Sequence, residues 1–425
     1  MRKPTRLLPV LLLIVMLLLG ASSALFAAAA AGAAAVPEYI TLTWEGDTAT
    51  TQTITWRTGA AVIGGQVQYA EAVHSRLFPQ QAITVAAGIT GLHTNTGDLG
   101  IHSVMLTGLK PGTRYIYRVG GPDGWSQSAY FTTAPATPRP FKFLVFGDSQ
   151  SINYNVWGTT ARNAYQANPD AVFFTNVGDL VDVGQDYTQW DKWFAAAKGL
   201  TAAIPAMPIA GNHESYTPER VFSMPVLFTA QFKLPPNGPA GLKGQVYSFD
   251  YGDVHFVMLD SQEGEQRQYV PDMLARQKEW LERDLQATKK RWKIAFIHRP
   301  LYNNKPGEGD PAIRKVFGPV FDNYQVDVVF TAHDHAYART YPLYNGVRAA
   351  GQAQGTVYVA TGRSGTKTYK NLLAKDWHEF FHDPAAEPNY ITVEVSESLL
   401  RLKAFKQSGA LIDVWELKKT LTNPA

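Results

Sequence analysis

The residues able to do chemistry in this chain are spread from Asp148 to His335, yet they share one local setting. Phe143-Leu144-Val145-Phe146 runs into Gly147-Asp148, Phe173-Phe174-Thr175-Asn176-Val177 into Gly178-Asp179, Ile294-Ala295-Phe296-Ile297 into His298, and Val328-Val329-Phe330 toward His333. Apolar runs of this length read as buried strands, and side chains at the carboxyl ends of such strands converge on one edge of a sheet. With Gly211-Asn212-His213 and His335 added, the donors Asp148, Asp179, Asn212, His298, His333 and His335 form an oxygen and nitrogen set, to which the Gln150 amide adds a further candidate ligand. Such a mixed set suits Mn, Fe or Zn. Two of these ions sit about 3.5 to 4 Å apart when a carboxylate and a hydroxide bridge them. The bridging carboxylate is assigned to Asp179. The glycines before Asp148, Asp179 and Asn212 are expected to allow tight turns and close backbone approach to the ions. Each motif alone is commonly a turn or a hydrogen-bonded histidine; the order of all five is what is specific. Asp334 is expected to be a charged spacer between two ligands.

These residues need a framework, and 425 residues exceed what one core usually organises, so two domains are expected. From 39 to 133 the pattern alternates: Ile40-Thr41-Leu42-Thr43-Trp44, Gln52-Thr53-Ile54-Thr55-Trp56, Gln66-Val67-Gln68-Tyr69, His102-Ser103-Val104-Met105-Leu106 and Arg114-Tyr115-Ile116-Tyr117-Arg118-Val119. Short strands separated by Gly, Asp and Pro indicate an antiparallel β-sandwich over 37–134, similar to a fibronectin type III module, with Trp44, Trp56 and Tyr117 fitting its core. The prolines of 134–140 make a stiff linker. Over 140–417 the pattern becomes α/β, with strands expected at 141–146, 171–176, 255–259, 293–297, 326–330 and 356–360. Helices are expected at 189–198 and 272–290, and closing strands within 390–417.

Arg2, Lys3 and Arg6 precede the apolar run 7–19 and small residues follow, so 1–35 reads as a signal peptide cleaved before Val36, or as an uncleaved anchor. The body is then secreted or extracytoplasmic, and membrane contact is expected only through that segment. Of the 39 basic residues three lie there, so the remainder balances the 36 acidic ones, and charge gives no reason to expect a nucleic-acid partner. With no cysteine, disulfides and thiolate metal sites are excluded. At 12% aromatic and 18% charged residues the composition is globular. Oligomeric state has no signal in the sequence.

The ordered motifs, together with Tyr247-Ser248-Phe249-Asp250-Tyr251-Gly252-Asp253-Val254-His255-Phe256, His298-Arg299-Pro300-Leu301-Tyr302 and His333-Asp334-His335-Ala336-Tyr337, resemble the calcineurin-like metallophosphoesterases, particularly the purple acid phosphatase-like branch. The resemblance covers both domains. It implies a four-layer α/β/β/α catalytic domain of two β-sheets between helices, behind a fibronectin-like module. It also implies Asp148, Asp179 and His335 on one metal ion, and Asp179, Asn212, His298 and His333 on the other. His213 would contact phosphate and protonate the leaving oxygen as general acid. The implied substrate is a small phosphate ester.

Departures from the branch are informative. The tyrosine that colours the purple enzymes is replaced by Asp182, which either binds the first metal or holds the loop, and no purple colour is expected. Gln150 stands where many relatives place a histidine, and Ala332 where they place a glycine. The histidine pair after the fourth motif has no counterpart in Asn303-Asn304-Lys305-Pro306-Gly307-Glu308. Two cations lower the pKa of water from 15.7 to roughly 7, which would supply hydroxide for in-line attack on phosphorus. Glu214 or another carboxylate would orient His213, and Asn304, Lys305 or Arg363 would contact substrate. Monoester hydrolysis is the leading expectation. Its alternatives are phosphodiester hydrolysis and a cell-surface binding protein with an inactive catalytic domain.

Overall fold

The computed structural model describes residues 36–420 except 308, 352 and 353. The targeting segment expected at 1–35 lies outside the described residues. Among the described residues, no helix is long and apolar enough to cross a membrane.

The N-terminal part is the expected antiparallel sandwich. One sheet contains Glu38–Thr43, Gln52–Gly59, Gly97–Leu106 and Gly88–Thr94; the other contains Ile83–Ala86, Gln66–Glu71, Arg114–Gly121 and Gly124–Trp125, with Ala129–Thr132 also on Arg114–Gly121. Alternation sends Leu42, Ile54, Trp56, Val67, Tyr115, Tyr117 and Phe131 into a core between them. Trp44 departs from expectation. It leaves the sandwich and packs on Phe173, Phe249 and Tyr251 of the second domain, with ring centroids 5.6 to 6.0 Å away.

The second domain holds two mixed sheets flanked by helices. The first runs Ala171–Asn176, Phe141–Phe146, Asn389–Val395, Leu399–Lys406, Leu411–Lys418, so the expected closing strands complete the sheet that starts the domain. The second runs Tyr247–Tyr251, Val254–Leu259, Trp292–Ile297, Val328–Thr331, Val357–Thr361, Tyr337–Thr340, His378–His382. Phe143, Phe173, Phe249 and Phe256 interlock where the sheets meet, Phe143 and Phe173 stacking at 4.8 Å. Helices Met273–Ala287 and Pro311–Asn323 bury Leu281, Leu285, Phe317 and Phe321 against the outer face of the second sheet. On the first sheet lie Tyr187–Thr201 and an unanticipated helix, Tyr154–Ala167. Its Gly158 and two threonines weaken the helical signal, but the gap at Gly158 lets the helices touch, a Cβ there falling 3.0 Å from the Ala196 carbonyl.

The sandwich grips helix Tyr187–Thr201 at both ends. Asn95, on a hairpin tip, accepts the Tyr187 N–H at 2.8 Å and donates to Asp186 at 2.9 Å, so a residue of one domain helps cap a helix of the other. At the far end Thr201 donates to the Ile40 carbonyl and Tyr117 to that of Ala202. Arg57 is buried among Tyr39, Tyr187, Phe194 and Gln231.

His255 fastens helix Met273–Ala287 to its sheet through hydrogen bonds of 2.8 Å to both Asp250 and Asp284. Burial opposes its charge, but the two carboxylates outweigh burial and raise it to about 9. A raised pKa stabilises fully below the unfolded value near 6.5 and is lost as pH climbs through 9. Between pH 6 and pH 9.5 in urea unfolding, the loss of stability should be smaller in His255→Gln by roughly 3 kcal/mol. An unchanged difference in the variant would refute the assignment.

Candidate metal centre

Four parallel strands deliver the candidate ligands to one rim. Phe141–Phe146 and Ala171–Asn176 pair in parallel in the first sheet, as Trp292–Ile297 and Val328–Thr331 do in the second. Asn212 follows a segment that extends the first sheet, with Val177 bridging in parallel to Ile209. The sheets are joined at this rim: His298 Nδ1 lies 2.7 Å from the Val177 carbonyl, and Asp148 Oδ2 accepts the His333 N–H at 3.0 Å.

The expected glycines do make close approaches, but to neighbouring loops. A Cβ on Gly178, whose φ is +85°, would fall 2.5 Å from His298 Nδ1, and one on Gly211 would fall 2.2 Å from Asp179 Oδ1. Asp179, His333 and His335 themselves adopt φ of +52°, +68° and +62°, strain that non-glycine residues hold only when surroundings enforce it.

Two clusters result, and Asp179 belongs to both. In one, donor atoms of Asp179, His298 and His333 lie within 4.8 Å of one another; in the other, those of Asp148, Asp179 and His335 do. Asp179 Oδ2 is 3.2 Å from His298 Nε2, and His333 Nδ1 is 3.3 Å from the same nitrogen. Asn212 Oδ1 is buried without a hydrogen-bond partner, while its Nδ2 donates to the Tyr216 hydroxyl at 3.1 Å. Gln150 is buried at the same place, and with its amide oriented to satisfy its neighbours it donates to Asp179 Oδ2 at 3.2 Å and accepts from Lys367 at 2.8 Å.

Residues 37–133 match the family described as purple acid phosphatase, N-terminal domain, and residues 141–337 match calcineurin-like phosphoesterase. Acid phosphatase type 7 of Mus musculus is 30% identical over 359 residues, covering 77% of this chain and 78% of the relative. The chain belongs to the purple acid phosphatase-like metallophosphoesterases. It is a hydrolase. Purple acid phosphatase 15 of Arabidopsis thaliana is 28% identical over 69% of this chain and 57% of its own length. The purple acid phosphatase isolated from yellow lupin (Lupinus luteus) seeds shares the fold at a TM-score of 0.75 and 21% identity, across 92% of this chain and 78% of that one.

The family implies a dinuclear metal site, and the residues present fit one. His335 Nδ1 faces the Lys367 carbonyl at 2.8 Å, which assigns its proton there and leaves Nε2 bare. That bare Nε2 faces Asp148 Oδ1 at 3.2 Å, and both atoms are buried with no hydrogen-bond partner. Two lone pairs in this arrangement repel unless a cation lies with them. The donor set is the hard and borderline mixture that Mn, Fe and Zn accept.

Other expected residues fall differently. Glu214 does not touch the His213 ring; its carboxylate accepts backbone N–H groups from Asp179, Leu180, Val181 and Gly211 at 2.6 to 3.3 Å and so binds the two ligand loops together. Burial and the Asp179 charge push it up to about 8, against the opposing N–H groups of Gly211 and Val181 and the charge of His298. Asp182 orients His213 instead, its carbonyl 2.6 Å from Nδ1 and its Oδ1 3.3 Å away. The remaining Asp182 oxygen pairs with Arg220 at 2.8 Å. Arg363 turns away from the site to donate to the carbonyls of Pro384, Ala385 and Gly365. Asp334 is more than a spacer: it accepts the Asn304 N–H at 2.6 Å and lies 3.5 Å from Lys305 Nζ, tying the 303–305 loop to the histidine loop. Lys305 and Asn304 border the site, the Asn304 amide being buried without a partner. Lys367 and Tyr369 were not anticipated. The Tyr369 ring lies 4.5 Å from that of His335.

Burial works against charge on His298, yet Asp179 and Asp148 outweigh it and hold it at about 9. A metal needs the bare ring nitrogen, so proton and metal compete for His298 and apparent affinity should rise with pH. Calorimetric titration with Mn²⁺ at pH 7 in buffers of different ionisation enthalpy should report net proton release to which His298 contributes. No release, or equal release from His298→Ala, would contradict this.

Proposed function

We propose that the protein hydrolyses phosphate monoesters at a two-metal centre, with His213 as general acid. One observation carries the reading: the Asp179 carboxylate belongs to both ligand clusters. Asp148, Asp179 and His335 would hold one ion; the expected ligand Gln150, with its amide N–H on Asp179 Oδ2 and its oxygen on Lys367, would brace the bridging carboxylate instead of ligating. Asp179, Asn212, His298 and His333 would hold the other. Bound there, such ions supply Lewis acidity toward phosphoryl oxygen and lower the pKa of water.

The chain's own contribution is orientation and proton delivery. His213 Nε2 lies 3.9 Å from Asp179 Oδ2, so its ring borders the space where a phosphoryl group would meet the ligands. Its Nδ1 is fixed on the Asp182 carbonyl, so Nε2 is the ring atom that faces the leaving oxygen and would take up a proton before handing it over. Proton transfer matters in proportion to the basicity of the leaving group. We further propose, from the charged and apolar pattern of 1–35, that the enzyme works outside the cytoplasm.

Asn212→Ala and His298→Ala should retain the far-ultraviolet circular dichroism of the parent and lose turnover of nitrophenyl phosphate. An active, metal-loaded variant of either removes it from the ligand set. His213→Gln should cost about 100-fold or more on an alkyl phosphate and far less on nitrophenyl phosphate, whose leaving group needs little protonation. Equal losses on both substrates would eliminate His213 as the acid.

A further inference from the structure

One cation at the site has no place in the ligand set or in proton delivery. Lys367 lies on the irregular segment that follows strand Val357–Thr361. Its backbone carbonyl fixes the His335 ring, while its side chain reaches across to His213, with Nζ 2.8 Å from Nε2. The same Nζ is 3.5 Å from Asp182 Oδ1 and 2.8 Å from the Gln150 amide oxygen. The side chain is 30% exposed, so the ammonium stands at the border between buried ligands and solvent.

Asp182 explains why the ammonium stays there. One carboxylate oxygen faces Lys367 and the other is held by Arg220 at 2.8 Å, so the carboxylate is anchored from outside. A neutral side chain at this position would remove the carboxylate that pairs with Lys367. The departure at position 182 and the lysine at 367 thus form one unit. Resting on the monoesterase reading above, we propose that Lys367 receives a non-bridging oxygen of a phosphate monoester dianion, and that Asp182 positions it for this.

The chemistry favours an ammonium over a neutral donor here. A phosphate monoester near neutral pH carries up to two negative charges and a diester one, so a fixed cation discriminates between them by charge as well as by hydrogen bonding. In the free site His213 Nε2 accepts the Lys367 N–H. A phosphoryl oxygen replaces it as acceptor when substrate binds; the freed Nε2 lone pair takes up a proton from solvent, and that proton then passes to the leaving oxygen. The short polar loop 303–307 supplies no histidine pair for this task, and Lys305 is engaged with the His333 carbonyl and the Tyr369 ring.

The test uses the metal-loaded full chain and three variants, Lys367→Gln, Lys367→Arg and Asp182→Asn. Steady-state rates on nitrophenyl phosphate and bis-nitrophenyl phosphate are measured beside metal content and calorimetric binding of inorganic phosphate. Lys367→Gln should lower kcat/KM on the monoester about 30-fold, mainly through KM, and leave the diester within about threefold. Phosphate affinity should fall about tenfold or more with metal content unchanged. Lys367→Arg should recover most of the loss, and Asp182→Asn should raise KM by an intermediate factor. Equal losses on both esters, unchanged phosphate affinity, or loss of metal from Lys367→Gln would each overturn the proposal. A parent enzyme that turns over only the diester would instead refute the monoesterase reading, and the phosphate titration would still judge Lys367.

Discussion

The site depends on a single shared carboxylate. Asp179 sits at φ +52°, a conformation with a real cost for a residue bearing a Cβ, and its side chain enters both candidate ligand clusters. Its surroundings compel this position: Glu214 accepts its N–H, the His213 N–H donates to its Oδ1, and Gly211 leaves room that any side chain would fill. Burial works against a charged Asp179, but His298 and His213 hold it well below the usual carboxylate range. The carboxylate is therefore kept ionised in a dry place, which costs free energy unless positive charge is close.

That arrangement is supported from a distance. Helix Tyr187–Thr201 connects sandwich and site: its Gln189 accepts the N–H groups of Asp182 and Val183, and its Trp193 donates to Ser149 beside Asp148. The same helix is capped by Asn95 and flanked by Arg57 from the sandwich. The N-terminal domain is thus a buttress for the metal loops. Nothing in this requires the sandwich to bind a ligand of its own, and Trp44, which could have been a surface aromatic, is buried in the catalytic core.

Much of this is legible in the sequence. The buried parallel strands announced themselves as apolar runs, and because ligands follow such runs directly, the rim could be located from order alone. Other features depended on tertiary contacts. Helix Tyr154–Ala167 has a weak local propensity and forms because Trp157 and Ala161 are buried against its neighbour. Glu214 looked like a partner for the adjacent histidine, but the turn at His213–Ser215 directs it to backbone N–H groups behind the ligands. Arg363 reads as a substrate contact and is consumed by carbonyls. Lys367 and Tyr369 lie in a segment without periodicity, so no pattern pointed to them, and only the chain's return past His335 brings them to the site.

The central claim is spatial, and anomalous diffraction from crystals grown with Mn²⁺ addresses it directly. Two anomalous peaks should flank the Asp179 carboxylate, one among Asp148 and His335 and the other among Asn212, His298 and His333. A single peak, or peaks that Asp179 does not touch, would contradict the account.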